Sequence, residues 1–157
     1  MAPVQNSYEI THEAALPGMA GNMGPQSVVS RVSSGAIPFG RAVVRMADQT
    51  AQLANATSQA YLGVSKRDVS RNLPVGASAQ YESAEEVAIM EDGYAWVEVE
   101  EAVSRGDAVY FRHDGAGVLG AFRNDGGGGN ATLVAGATFE TDATAGQAAL
   151  IRMPYGT

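Results

Sequence analysis

From Ala36 onward the chain alternates short runs rich in Val and aromatic residues with breaks of Gly, Asp and Asn, a texture that predicts β-strands. The runs are Ile37 to Met46, Tyr61 to Ser65, Ala79 to Glu82, Glu86 to Met90, Tyr94 to Val99, Ala108 to Arg112, Val118 to Phe122, Thr132 to Glu140 and Gln147 to Met153. Side chains alternate across a strand, so Tyr94, Trp96, Glu98 and Glu100 share one face and Ala95, Val97 and Val99 the other. Bulk on both faces predicts a central place for this strand, with Trp96, the single tryptophan, anchoring packing. Asp92-Gly93, Asp114-Gly115 and Asp125-Gly126 supply turn chemistry, since Asp tolerates and Gly favours positive φ. No dozen residues hold an i, i+3, i+4, i+7 stripe free of Gly, so helix is predicted to be minor and the class all-β.

Residues 1–35 read differently. Pro3, Pro17, Gly18, Gly21, Gly24, Pro25 and Gly35 punctuate a stretch with neither a sustained 3.6 nor a sustained 2 period, which predicts an extended Gly/Pro-rich N-terminal arm ahead of a β-sandwich at 36–157. Its apolar residues, among them Leu16, Met19, Met23, Val28, Val29 and Val32, are too many for a solvated tail. The arm is therefore predicted to become ordered against something, through contacts with another molecule, and a domain lacking residues 1–30 is predicted to stay folded.

Composition narrows the chemistry. The 157 residues suit one ordinary domain, and 27 Ala with 19 Gly leave a lean set of large apolar groups, which favours a thin sandwich over a thick globule. The formal charge of −7 argues against a wrap-around nucleic-acid surface. With no Cys, disulfides, thiolate metal sites and Cys nucleophiles are excluded. No apolar run reaches the roughly 20 residues of a membrane-spanning helix, and the N-terminus has no signal-peptide pattern, so neither membrane insertion nor export is predicted. Charge is segregated along the chain: residues 82–101 hold eight acidic groups and no base, whereas residues 31–71 hold six basic groups against two acidic ones. Two solvated surfaces explain this for a monomer. A candidate charged interface of Arg31, Arg41 and Arg45 with Glu98, Glu100 and Glu101 is what a self-associating or docking module would use to set orientation.

Gly115-Ala116-Gly117-Val118-Leu119-Gly120 matches G-x-G-x-x-G, but the Asn, Asp and four glycines that follow leave no room for the helix whose N-terminus would hold pyrophosphate. A hairpin turn is predicted instead, and Gly126 to Gly129 read as a flexible loop tip. His12 and His113 are too few and too far apart for an imidazole metal site, and His113 beside Asp114 is predicted to be solvated. No Gly-x-Ser-x-Gly elbow exists for a catalytic triad. Glu98, Glu100 and Glu101 lack the spacing of a calcium loop and read as a solvated strand edge. No cofactor, metal or catalytic residue is predicted.

Pro17-Gly18-Met19-Ala20-Gly21, Ser30-Arg31, Pro38-Phe39-Gly40-Arg41-Ala42-Val43, Tyr61-Leu62-Gly63-Val64-Ser65, Gly106-Asp107-Ala108-Val109-Tyr110-Phe111 and Gly146-Gln147-Ala148-Ala149-Leu150-Ile151-Arg152 occur in that order. Together they resemble the structural cement proteins that decorate tailed-bacteriophage capsids. The resemblance covers nearly the whole chain except Asn124 to Asn130. It implies a jelly-roll or barrel-like β domain without enzymatic activity. It also implies binding to the outside of the major capsid protein shell as a dimer or trimer, in a virion protein made in the host cytoplasm. Leu16, Pro17, Met19, Met23, Pro25, Val28 and Val29 then become the capsid-contact arm, suited to lie in a groove and add a strand to a partner's sheet.

Two other classes compete with this one. A carbohydrate- or receptor-binding β module on a virion appendage would use Tyr94 and Trp96 as its aromatic platform. A cupin-like metalloenzyme is disfavoured by the imidazole count.

Overall fold

A computed structural model describes residues 15–70 and 79–155. Twelve strands run in chain order: β1 (Val28–Ser33), β2 (Ile37–Pro38), β3 (Ala42–Arg45), β4 (Thr50–Leu53), β5 (Tyr61–Ser65), β6 (Gln80–Tyr81), β7 (Glu86–Met90), β8 (Gly93–Glu98), β9 (Ala108–Arg112), β10 (Phe122–Arg123), β11 (Ala131–Phe139) and β12 (Ala148–Met153). The only helical turn among the described residues is a short 3-10 segment at Gly127–Gly129. Strands β1-β4-β3-β5-β7 form a closed barrel, β2 pairs with β6, and a five-stranded sheet runs β10-β9-β11-β12-β8. The two ends of that second sheet also meet: Val99 bridges Phe122 in parallel, and the Glu100 N–H donates to the Phe122 carbonyl at 3.0 Å. The all-β, barrel-like expectation holds.

Two packing regions explain the apolar runs. Ile37, Phe39, Val43, Ala51, Leu62, Tyr81, Val87 and Ile89 cluster in the first barrel. Ala42, Val44, Val64 and Met90, the alternate residues of β3, β5 and β7, join Phe111, Phe122, Phe139, Ile151 and Met153 in the second cluster. These three strands are buried on both faces, which is why Ala42-Val43-Val44 and Ile89-Met90 read as continuous apolar stretches rather than alternating ones. Close strand approach needs Gly63, because a Cβ there would lie 2.2 Å from the Met90 carbonyl oxygen.

The structure departs from the sequence reading in several places: the run Ile37 to Met46 divides into β2 and β3, Val118 to Ala121 is loop leading into β10, and β8 ends its sheet instead of lying centrally. Val28–Ser33 forms β1 of the barrel, so the extended segment ends before residue 28 and not at 35; apolar side chains of both parities at Val28, Val29 and Val32 hide the strand period. Strand β4, with only Ala51 fully buried, carries almost no pattern. Trp96 lies half-buried on the outer face of β8, while Ala95, Val97 and Val99 point inward to pack with Phe111, Phe122 and Phe139, which supply the bulk of that core. His113 is buried, not solvated: its N–H and that of Asp114 both donate to the Asn130 carbonyl, which draws the turn over the ring.

Because Phe122 fills the second core and Trp96 does not, Phe122→Ala is expected to cost about 3–5 kcal/mol. Trp96→Ala is expected to cost about 1–2 kcal/mol, the value for a partly buried side chain. Urea melts of the two variants check the order.

Candidate interaction surface

Strand β8 organises the surface because its even-numbered residues turn their backbone away from β12. Antiparallel pairing alternates in this way, and each exposed group finds a different partner. The Gly21 N–H donates to the Tyr94 carbonyl at 2.8 Å, the Trp96 N–H donates to Met19 at 2.9 Å, and the Gly18 N–H donates to Trp96 at 2.7 Å. Residues 18–21 thus add a short strand to the sheet edge, with Ala20 opposite Ala95. On its other side the Gly18 carbonyl accepts the Arg67 N–H at 2.7 Å, and the Pro17 carbonyl accepts Arg67 Nε at 3.0 Å. Arg67 in turn lies over the Phe39 ring, 5.0 Å from its centroid. Gly18 therefore links the second sheet to the first barrel. Its φ of +87° and the backbone atoms 2.8–3.0 Å from a Cβ leave no room for any other residue.

These contacts change the meaning of the predicted arm. Its described backbone is tied to its own chain, and Pro25 is held as well, accepting the Tyr155 hydroxyl at 2.9 Å. The side chains of Leu16, Met19, Met23, Pro25 and Val28 nevertheless remain exposed, while Pro17 and Val29 are half-buried. The intermolecular backbone contacts expected from the sequence are intramolecular here. What the segment presents outward is a row of apolar side chains.

The candidate charged interface is largely paired internally. Arg41 meets Glu98 at 2.7 Å and also donates to the Leu119 carbonyl. Glu100 accepts Arg112 Nε at 2.7 Å and Arg123 Nη1 at 2.6 Å, and Arg123 continues to Glu101 at 2.9 Å and to Asp125. With side chains only 8–11 % exposed, Glu100, Arg112 and Arg123 form a nearly buried triad at the Val99–Phe122 closure, not a solvated edge. Burial alone would raise the Glu100 pKa; hydrogen bonds from Arg112, Arg123 and the Val118 N–H outweigh it and hold the carboxyl below the usual range. Arg31 and Arg45 remain outside this network, Arg31 donating to the carbonyl of the adjacent Ser30. The role of Arg112 and Arg123 escaped the sequence reading because neither lies in the basic stretch, and only the sheet brings them to Glu100. Asp125 and the Gly127 N–H it accepts pin the start of the glycine run, which is a 3-10 turn and not a loose tip. His12 lies outside the described residues.

The module is barrel-like, and its charged clusters pair mostly within itself. The chain belongs to the structural cement protein family (E217 gp24/Pam3 gp6), whose model matches residues 4–153. Among solved structures, a chain from the capsid of Myoviridae phage XM1 is similar in fold, with a TM-score of 0.81 over 99 % of each chain at 21 % identity. No curated protein is significantly similar in sequence. The protein is a virion structural protein, and its family is not a class of enzymes.

Deleting residues 1–30 is expected to abolish cooperative unfolding, since it removes both the Gly18 link and half of β1; Gly18→Val is expected to lower the melting temperature strongly for the first reason alone. Calorimetry checks both. Glu100→Gln is expected to cost about 3 kcal/mol by leaving two buried guanidiniums short of a partner. Since the folded Glu100 pKa lies below its unfolded value, the unfolded state binds more protons between the two, and stability falls as pH drops through that window. Urea midpoints should therefore decline below about pH 4, and the decline should be smaller in Glu100→Gln.

Proposed function

We propose that this protein binds the outer surface of the major capsid shell, as a dimer or trimer, and stabilises contacts between capsomers. The observation that carries this reading is the family match across residues 4–153, which takes in the Gly18 segment and both sheets. The architecture supports it. A cement must resist distortion, and here the two sheets are joined by backbone hydrogen bonds and the Arg41–Glu98 ion pair, while a buried ionic triad locks the closure of the second sheet. The outward row of Leu16, Met19, Met23, Pro25 and Val28 supplies the apolar area that docking requires, and several such contacts per oligomer would hold firmly even if each were modest. The carbohydrate-binding alternative has less support, because Gly21 packs onto Tyr94 and residues 18–21 cover the edge of β8 that carries Tyr94 and Trp96.

The test is sedimentation of the protein with shells assembled from the major capsid protein alone. Saturable co-sedimentation and a higher shell disruption temperature are expected. Bound protein should remain attached at about 0.5 M salt, where charge interactions are screened beyond roughly 4 Å, because the outward row is apolar. Absence of co-sedimentation at any salt would overturn the proposal.

A further inference from the structure

Between the first barrel and the second sheet lies a cleft of about 500 Å³. One wall carries Arg45 from β3, Tyr61 from β5 and Glu91; the other carries Thr132 to Ala135 of β11, with Met153 and Pro154 at the end of β12. Among the described residues this second wall is an open sheet edge. Strand β12 pairs with β11 only at Thr138 and Phe139, and Pro154, which has no N–H, stops it there. On the far side, Ala131 to Leu133 pair with β9. The Asn130 carbonyl accepts the His113 N–H, so residues 130 and 132 turn their backbone toward β9 and residues 131 and 133 turn theirs away, toward the cleft. Among the described residues the Leu133 N–H and carbonyl have no partner on that side, and the Leu133 side chain is 48 % exposed.

The opposite wall carries solvent-accessible charge that is not ion-paired. Among the described residues, neither the Arg45 guanidinium nor the Glu91 carboxylate has a side-chain partner, in contrast to the Glu98, Glu100 and Glu101 carboxylates. Among the described residues, an open strand edge facing the unpaired Arg45 cation, the unpaired Glu91 carboxylate beside Asp92 and an exposed leucine matches an extended polypeptide with charges of both signs.

We propose that this cleft receives an extended segment of the major capsid protein, added as a strand to the open edge of β11, with a basic residue at Glu91 and an acidic one at Arg45. The assignment rests on the cement reading above and goes beyond it by naming the slot and the mode. Its lining shares no residue with the apolar side chains of the N-terminal segment, although Ser27 of that segment hydrogen-bonds to Glu91 and Asp92 at its rim.

The experiment is hydrogen exchange by mass spectrometry on the full chain, free and bound to shells assembled from the major capsid protein alone. Exchange in the peptide spanning Leu133 to Ala135 is expected to slow at least about tenfold on the shells. Leu133→Pro removes a donor the sheet does not use, so it should weaken shell binding about tenfold or more while the free protein melts within a few degrees of the parent. Arg45→Glu and Glu91→Lys should each weaken it severalfold. Normal shell binding with unchanged exchange at Leu133 to Ala135 would overturn this slot and leave the cement function standing. No shell binding at all would overturn both. Protection that develops in concentrated protein without shells would assign the slot to a second copy of this chain and likewise overturn the proposal.

Discussion

The need of one strand edge for hydrogen-bond partners ties the molecule together. Tyr94, Trp96, Glu98 and Glu100 each turn a backbone group away from β12, and a buried or half-buried polar group without a partner costs free energy comparable to a lost hydrogen bond. The partners come from three separate places: Gly18 to Gly21, Gly40 and Phe122. Satisfying that edge draws the N-terminal segment across the surface, seats the Phe39-Gly40 turn against the second sheet and closes the sheet on itself. The ionic triad sits where the last of these contacts is made, so electrostatics reinforces a junction that backbone bonding creates.

Much of the fold was legible in the sequence because strand existence is a local matter. The alternation at Tyr94 to Val99 and the apolar runs at Tyr61 to Ser65, Glu86 to Met90 and Gln147 to Met153 correspond to real strands with nearly the same limits. The turn at Asp92-Gly93 was legible too, although it carries the chain from one sheet to the other and so is a corner rather than a hairpin. What stayed hidden depends on partners distant in the chain. Alternation shows that Trp96 and Val97 lie on opposite faces of a strand but not which face is inside, and the larger side chain was the wrong guide because phenylalanines from other strands supply the bulk of the core. Likewise Glu100 looks like any member of an acidic run until β9 and β10 bring Arg112 and Arg123 to it.

The N-terminal segment illustrates the same limit from another direction. Its glycines and prolines do signal extended chain, and its apolar residues do signal contact. The residues that receive its backbone, Trp96, Tyr94 and Arg67, have no sequence relation to it. A single segment serves two purposes here, with backbone directed inward to join the sheets and side chains directed outward to form a surface.

The Gly18 link also has a temporal side. Its partner Trp96 lies 78 positions further along, and Arg67 lies 49. A ribosome releases Gly18 well before Arg67 and Trp96, and contacts this far apart in sequence are the slow ones to form because loop closure must be met before they contribute. A segment made early thus waits for partners made later, and the tie between the two sheets belongs among the slower contacts of folding.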